Sequence, residues 1–175
     1  MTHPLPRRLL AGAALALFLC ACSPKYDWRE VRGSQPPFVV LLPGKPATHT
    51  RVVNLEGMQV SMTMTAAEVD GTAFAVTTAE LPDAGKAQAV LEAMKKGMVR
   101  NIGGTVVRET DKSADGQSVV ELEARGQAGP GGQARVLYAR FARSGQRVYQ
   151  AVVLGGQQSV PPEQAETFLG SFKPG

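Results

Sequence analysis

Residues 57–80 read GMQVSMTMTAAEVDGTAFAVTTAE, and their alternation decides the fold. Met58, Val60, Met62 and Met64 fall on one side, Gln59, Ser61, Thr63 and Thr65 on the other. A period of two over this length is that of a β-strand with one face buried, here the Met/Val face. Asp70-Gly71 then supplies a hairpin signal, because a two-residue turn needs residues that tolerate positive φ. Residues 73–78 return as the partner strand.

Working upstream, residues 38–42 (FVVLL) form an apolar run of strand length, punctuated by Pro43-Gly44. Residues 49–54 read as another strand, closed by Glu56-Gly57. Downstream the texture changes. Asp83 is placed to cap a helix by accepting from free backbone N–H groups. Val90, Leu91, Met94, Met98 and Ile102 follow as a stripe of period near 3.6. Lys95, Lys96 and Arg100 lie late in this helix, where cations suit its C-terminal dipole, and Gly103-Gly104 stops it. Four strands follow, at 105–110, 118–124, 134–142 and 147–154, joined by DKSADG, GQAGPGG and Ser144-Gly145. Pro161-Pro162 opens a last helix with Ala165, Phe168, Leu169 and Phe172 on one stripe. Hairpin-linked strands with segregated helices predict an α+β fold. The expected form is an antiparallel sheet of about seven or eight strands, with one long mid-chain helix and a short C-terminal helix.

This order of elements resembles the PsbP/Mog1-like fold, an antiparallel sheet flanked by helices. The residues that carry the resemblance are PFVVLLPGKP, the mid-chain helix, the RVLYARFARSGQRVYQAVV hairpin and the closing AETFLGSF. It spans about residues 36–173 and implies a domain that binds other proteins or assists their assembly, with few enzymes among its relatives.

The N-terminus carries a different message. Arg7 and Arg8 precede an uncharged run at 9–19, LLAGAALALFL. Eleven residues are too few for a spanning helix, which needs roughly 20, but they suit the apolar region of an export signal. Leu19-Cys20-Ala21-Cys22 follows, and the pattern resembles a bacterial lipoprotein signal. Cys22 is favoured over Cys20 as the modified residue, since small Ala21 precedes it where bulky Leu19 precedes Cys20. The resemblance implies removal of residues 1–21, a diacylglyceryl thioether on Cys22 and a further acyl chain, such as palmitate, on its amine. Ser23, where an Asp would retain the protein at the inner membrane, points to the outer membrane. Domain organisation follows as signal 1–21, lipidated Cys22 with a lead-in over 22–35, and one α+β domain over 36–175. Within the lead-in, YDWREV is expected to dock as a short strand; Trp28 as a membrane-interface anchor is the alternative.

Removing the signal leaves 154 residues, enough to bury roughly 68–70% of the unfolded surface without a staple. Without Arg7 and Arg8, 17 basic residues face 15 acidic ones, too even a balance to point to nucleic acid.

Candidate chemistry is sparse. His49 is the one histidine left after signal removal. It lacks a nucleophile motif, and a zinc site needs three or four ligands. Glu121 and Glu123 share one side of a strand, but alternate with Val120, Leu122 and Ala124 as a solvated face does. Met58, Met62, Met64, Met94 and Met98 have the softness for Cu(I), yet their placement is that of facing core surfaces. GQAGPGGQ lacks the Lys of a phosphate loop. No catalytic, metal or cofactor residues are therefore assigned. A basic set on the last hairpin, Arg135, Arg143 and Arg147, is a candidate patch for an anionic partner, with Arg140 on the opposite side. The expectation is a non-catalytic, membrane-anchored envelope lipoprotein facing the periplasm, which binds a protein partner or assists assembly. The alternative is a lipoprotein that binds a small apolar ligand or lipid between the Met-rich strand and the helix bearing Met94 and Met98.

Overall fold

The computed structural model describes residues 24–113, 117–127 and 132–175. The signal segment, Cys22, the second half of the DKSADG turn and most of the GQAGPGG loop lie outside the described residues. The fold is α+β, with an antiparallel sheet of seven strands, a second sheet of three, and two helices.

The quoted stretch forms the hairpin expected of it. Strands β3 (Ala47–Leu55), β4 (Met58–Val69) and β5 (Thr72–Glu80) follow one another through two tight turns. In both turns the two central residues have positive φ, 50° and 81° at Glu56 and Gly57, 48° and 72° at Asp70 and Gly71. That geometry matches the right-handed twist of the flanking strands.

A single 3-10 turn, capped by Asp83 Oδ1 accepting from the Gly85 N–H at 2.8 Å, leads into α1 (Ala87–Asn101). The second run, β6 (Gly104–Asp111), β7 (Ser118–Gln127), β8 (Ala134–Ser144) and β9 (Arg147–Gly156), folds back so that β9 pairs with β5. Across the large sheet the order is β3-β4-β5-β9-β8-β7-β6.

Each face of this sheet has its own core. On one face α1 lays Val90, Leu91 and Met94 over Ala75, Leu122, Phe141 and Val152, all buried, with Met58, Met62 and Met98 packed at the margin. On the other face lie α2 (Pro162–Ser171) and a small sheet of β1 (Arg29–Ser34), β2 (Pro37–Leu42) and β10 (Lys173–Pro174). Phe38, Val40, Leu42, Phe168 and Phe172 pack there on Phe74, Val76 and Tyr149. The Ser171 hydroxyl accepts from the Leu41 N–H at 2.9 Å, fastening α2 to β2.

The lead-in docks on the domain as expected, supplying a strand, β1, with the folded body extending back to Tyr26, which stacks on Trp28 at 6.0 Å. Trp28 docks on the domain, edge-on to Phe74. Met64 lies on the Met face as its alternation requires, yet is 44% exposed, because α1 lies over β6–β9 and not over this part of β4. Conversely Thr65, on the side that reads as polar, is buried, as is Thr78 on β5.

Candidate binding cleft

The small sheet does not cover all of its side of the large one. Between the Val31–Phe38 hairpin and the β3–β5 end of the large sheet lies an open cleft of about 780 Å³. Its floor is an array of hydroxyls: Thr48 and Thr50 from β3, Ser61, Thr63 and Thr65 from β4, and Thr78 from β5. Strand pairing sets Thr48 opposite Thr65 and Thr50 opposite Thr63. The hydroxyl oxygens of each pair are in hydrogen-bond contact, at 3.1 and 2.9 Å. Each hydroxyl has one donor and two acceptor positions, so every pair retains capacity toward the cleft.

The rim is formed by the tight return from β1 to β2. Gly33 there is required by contact: the Phe38 ring occupies the space that a Cβ would fill. Arg32 and Glu80 are the charged residues of the lining, and Arg32 is paired with Glu30 at 2.6 Å. The cleft is therefore polar and close to neutral. Such a surface suits hydrogen-bonding ligands in general, with no field that selects one sign of charge.

Among the described residues, one side of the cleft is a free sheet edge, β3. The two-residue turn makes Leu55 and Met58 a hydrogen-bonded pair, and bonded pairs alternate with non-bonded ones along an antiparallel ladder. Thr48, Thr50, Val52 and Asn54 consequently turn their N–H and C=O groups away from β4. These are the β3 residues whose side chains lie on the cleft face. Val52 is 66% exposed, and β3 bears no proline.

The residues singled out from the sequence lie elsewhere. His49 is exposed on β3 opposite Met64, on the α1 face, whereas Ser61 and Glu80 line the cleft on the other face. Arg135 stands at the start of β8 and Arg143 near its end, eight residues along, a separation of roughly 27 Å. Arg143 donates to Gln88 Oε1 at 2.8 Å, and Arg147 lies on the opposite face of the sheet, donating to the Gly175 carbonyl at 3.5 Å. The three do not converge.

Arg140 instead enters a partly buried network. It donates through Nε to Glu121 at 3.1 Å, and Lys112 lies 2.7 Å from the same carboxylate. Burial pushes the Glu121 carboxyl up, but hydrogen bonds and charge from Lys112 and Arg140 together outweigh it and hold the group below its ordinary value. Glu123 is similarly matched to Arg125 and Arg108. The two carboxylates are thus ion-paired on the strand. Among the described residues no three of His, Cys, Asp and Glu are grouped to hold a metal. On the α1 face Met94 is buried in the core and Met58, Met62 and Met98 pack at its margin.

The cleft escaped the sequence reading because its hydroxyls alternate with Met and Val, which is also the pattern of a solvated face. The signal available was the run of Thr at matched positions in two adjoining strands.

No protein-family model matches the chain, and no curated protein matches it. Among solved structures, one match is a Pseudomonas aeruginosa protein of unknown function, PA94. It is 14% identical, with a TM-score of 0.40, covering 66% of this chain and 89% of that one. A likeness this loose sets no role for the present chain.

Proposed function

We propose that this chain is a non-catalytic lipoprotein of the bacterial envelope, anchored through Cys22 and facing the periplasm at the outer membrane. Its PsbP/Mog1-like domain binds a protein partner there. The anchor rests on the sequence pattern at 19–22 and on Ser23. The binding role is carried by one observation, the free β3 edge beside the hydroxyl-lined cleft. A long, proline-free edge with outward backbone groups is a template for an added strand. Alternate side chains of that strand would enter the cleft over Thr48 and Thr50, where unspent hydroxyls offer hydrogen bonds.

A second reading uses the same cleft. Its volume exceeds the roughly 300 Å³ that a small ligand needs. The hydroxyl lining favours a polar ligand over an apolar one.

The test is photo-crosslinking in cells from a reactive residue placed at Val52, with the Cys22→Ala variant alongside. A single dominant protein adduct that is lost in Cys22→Ala is the expected result. No protein adduct, with a polar small molecule co-purifying, would replace the protein-binding reading by the second.

A further inference from the structure

We infer that a basic, apolar depression at the C-terminal end of α1 rests on an anionic phospholipid surface when the protein is anchored. This deepens the lipoprotein reading and rests on it.

The first observation is where the described chain begins. Tyr26 is docked, stacked on Trp28 and edge-on to Phe74, and Lys25 Nζ lies 2.9 Å from Asp70 Oδ2 in the β4–β5 turn. Three residues, 23–25, separate Cys22 from Tyr26. Even fully extended they span no more than about 14 Å from Cys22 to Tyr26. An acylated Cys22 therefore holds the β4–β5 turn close to the bilayer, and with it that whole end of the sheet.

The second observation is what else occupies that end. The strand registers place Asp70-Gly71, the start of β8 and the α1–β6 junction at Gly103-Gly104 at the same end of the large sheet. At this junction Val99, Gly103, Gly104 and Val106 form a shallow depression of about 420 Å³, bordered by Lys95, Lys96 and Arg100. Val106 and the adjoining Val107 are 46% and 55% exposed. Lys95 is neutralised by Glu92 and Glu109, at 3.0 and 2.7 Å. Lys96 and Arg100, one helical turn apart and both exposed, have no ion pair among the described residues. The acids beside the emerging chain are occupied, Asp70 by Lys25 and Asp27 by Arg29.

Unpaired cations around exposed valines complement an anionic headgroup layer over acyl chains. The depression sits about five strand spacings from the β4–β5 turn, roughly 24 Å across the sheet end. Both face out from the same end of the large sheet. The anchor and the patch thus bear on one surface, leaving the β3 edge standing away from it along most of its length.

After signal removal Cys22 is the only cysteine, and acylation occupies its thiol, so a single new cysteine can be labelled selectively. The experiment places an environment-sensitive fluorophore at Val107→Cys in the purified acylated full chain. This is reconstituted into vesicles of phosphatidylglycerol and phosphatidylethanolamine, or of phosphatidylcholine alone, each with a nitroxide-headgroup quencher. A label at Val52→Cys serves as the control. Quenching of the Val107 label at least about twofold stronger in the phosphatidylglycerol vesicles is expected from surface electrostatics. It should be lost in the Lys96→Glu/Arg100→Glu variant, with the Val52 label unaffected. Equal quenching in both vesicles, or no change on charge reversal, overturns the lipid contact and leaves the depression to a protein. The anchor is read separately by intact mass. A chain without the added acyl mass overturns the lipoprotein reading, and the membrane contact with it.

Discussion

The ring of Phe38 lies against Gly33 so closely that a Cβ added to Gly33 would stand 2.0 Å from Phe38 Cε1. The ring is itself buried, tilted against Phe172 at 6.4 Å, so it has little room to retreat. Gly33→Ala should therefore act as overpacking and lower stability by about 2 kcal/mol. Urea denaturation measures this. Unchanged stability would mean that Phe38 swings aside without loss.

Trp28 and Phe74 meet edge-to-face at 6.0 Å, with Phe168 completing the cluster at 5.6 Å from Phe74. Trp28 is half-buried, so Trp28→Ala loses part of a large apolar surface and one aromatic pair. A cost of about 2 kcal/mol is expected. Since Trp28 is the only tryptophan, its fluorescence in the wild type also reports docking of the lead-in. An emission maximum that does not shift red on unfolding would contradict the docked position.

These elements divide by how far tertiary contact determines them. The β4–β5 hairpin and α1 were legible because the alternation from Met58, the Asp70-Gly71 pair and the Val90–Met94 stripe are local signals. Burial of Thr65 and Thr78 was not, since it is set by what packs across the sheet and not by the alternation of their own strands. Exposure of Met64 was hidden for the converse reason, that no element packs over it. The Arg residues of β8 could be sorted by face, but register alone chose Glu121 as the partner of Arg140.

The paired hydroxyls of the cleft floor offer a direct energetic test. Thr48 and Thr65 are in hydrogen-bond contact at 3.1 Å on the partly buried side of the β3–β4 ladder. A double-mutant cycle with Thr48→Val and Thr65→Val should give a coupling of about 0.5 kcal/mol, in the range of cross-strand pairs. The exposed Thr50–Thr63 pair should give less, because water competes there. Equal couplings would show that the small sheet does not shield the cleft floor.

Glu121 sets an acid limit on the large sheet. Its carboxyl lies below the ordinary value of 4.5 in the folded state, through Lys112 and Arg140 acting against burial. The folded state thus binds this proton less readily than the unfolded chain, and the linkage stabilises the fold at pH values above 4.5. That contribution declines as pH falls through 4.5 and is lost once the folded carboxyl protonates. Glu121→Gln removes the charge but keeps an acceptor for Arg140. At neutral pH the variant should be less stable by about 1 kcal/mol, a magnitude fitting a partly exposed pair. The difference should shrink steadily on acidification in denaturation curves collected from pH 7 downward. A gap that stays constant would assign the loss to packing around Arg140 and not to the ionised carboxylate.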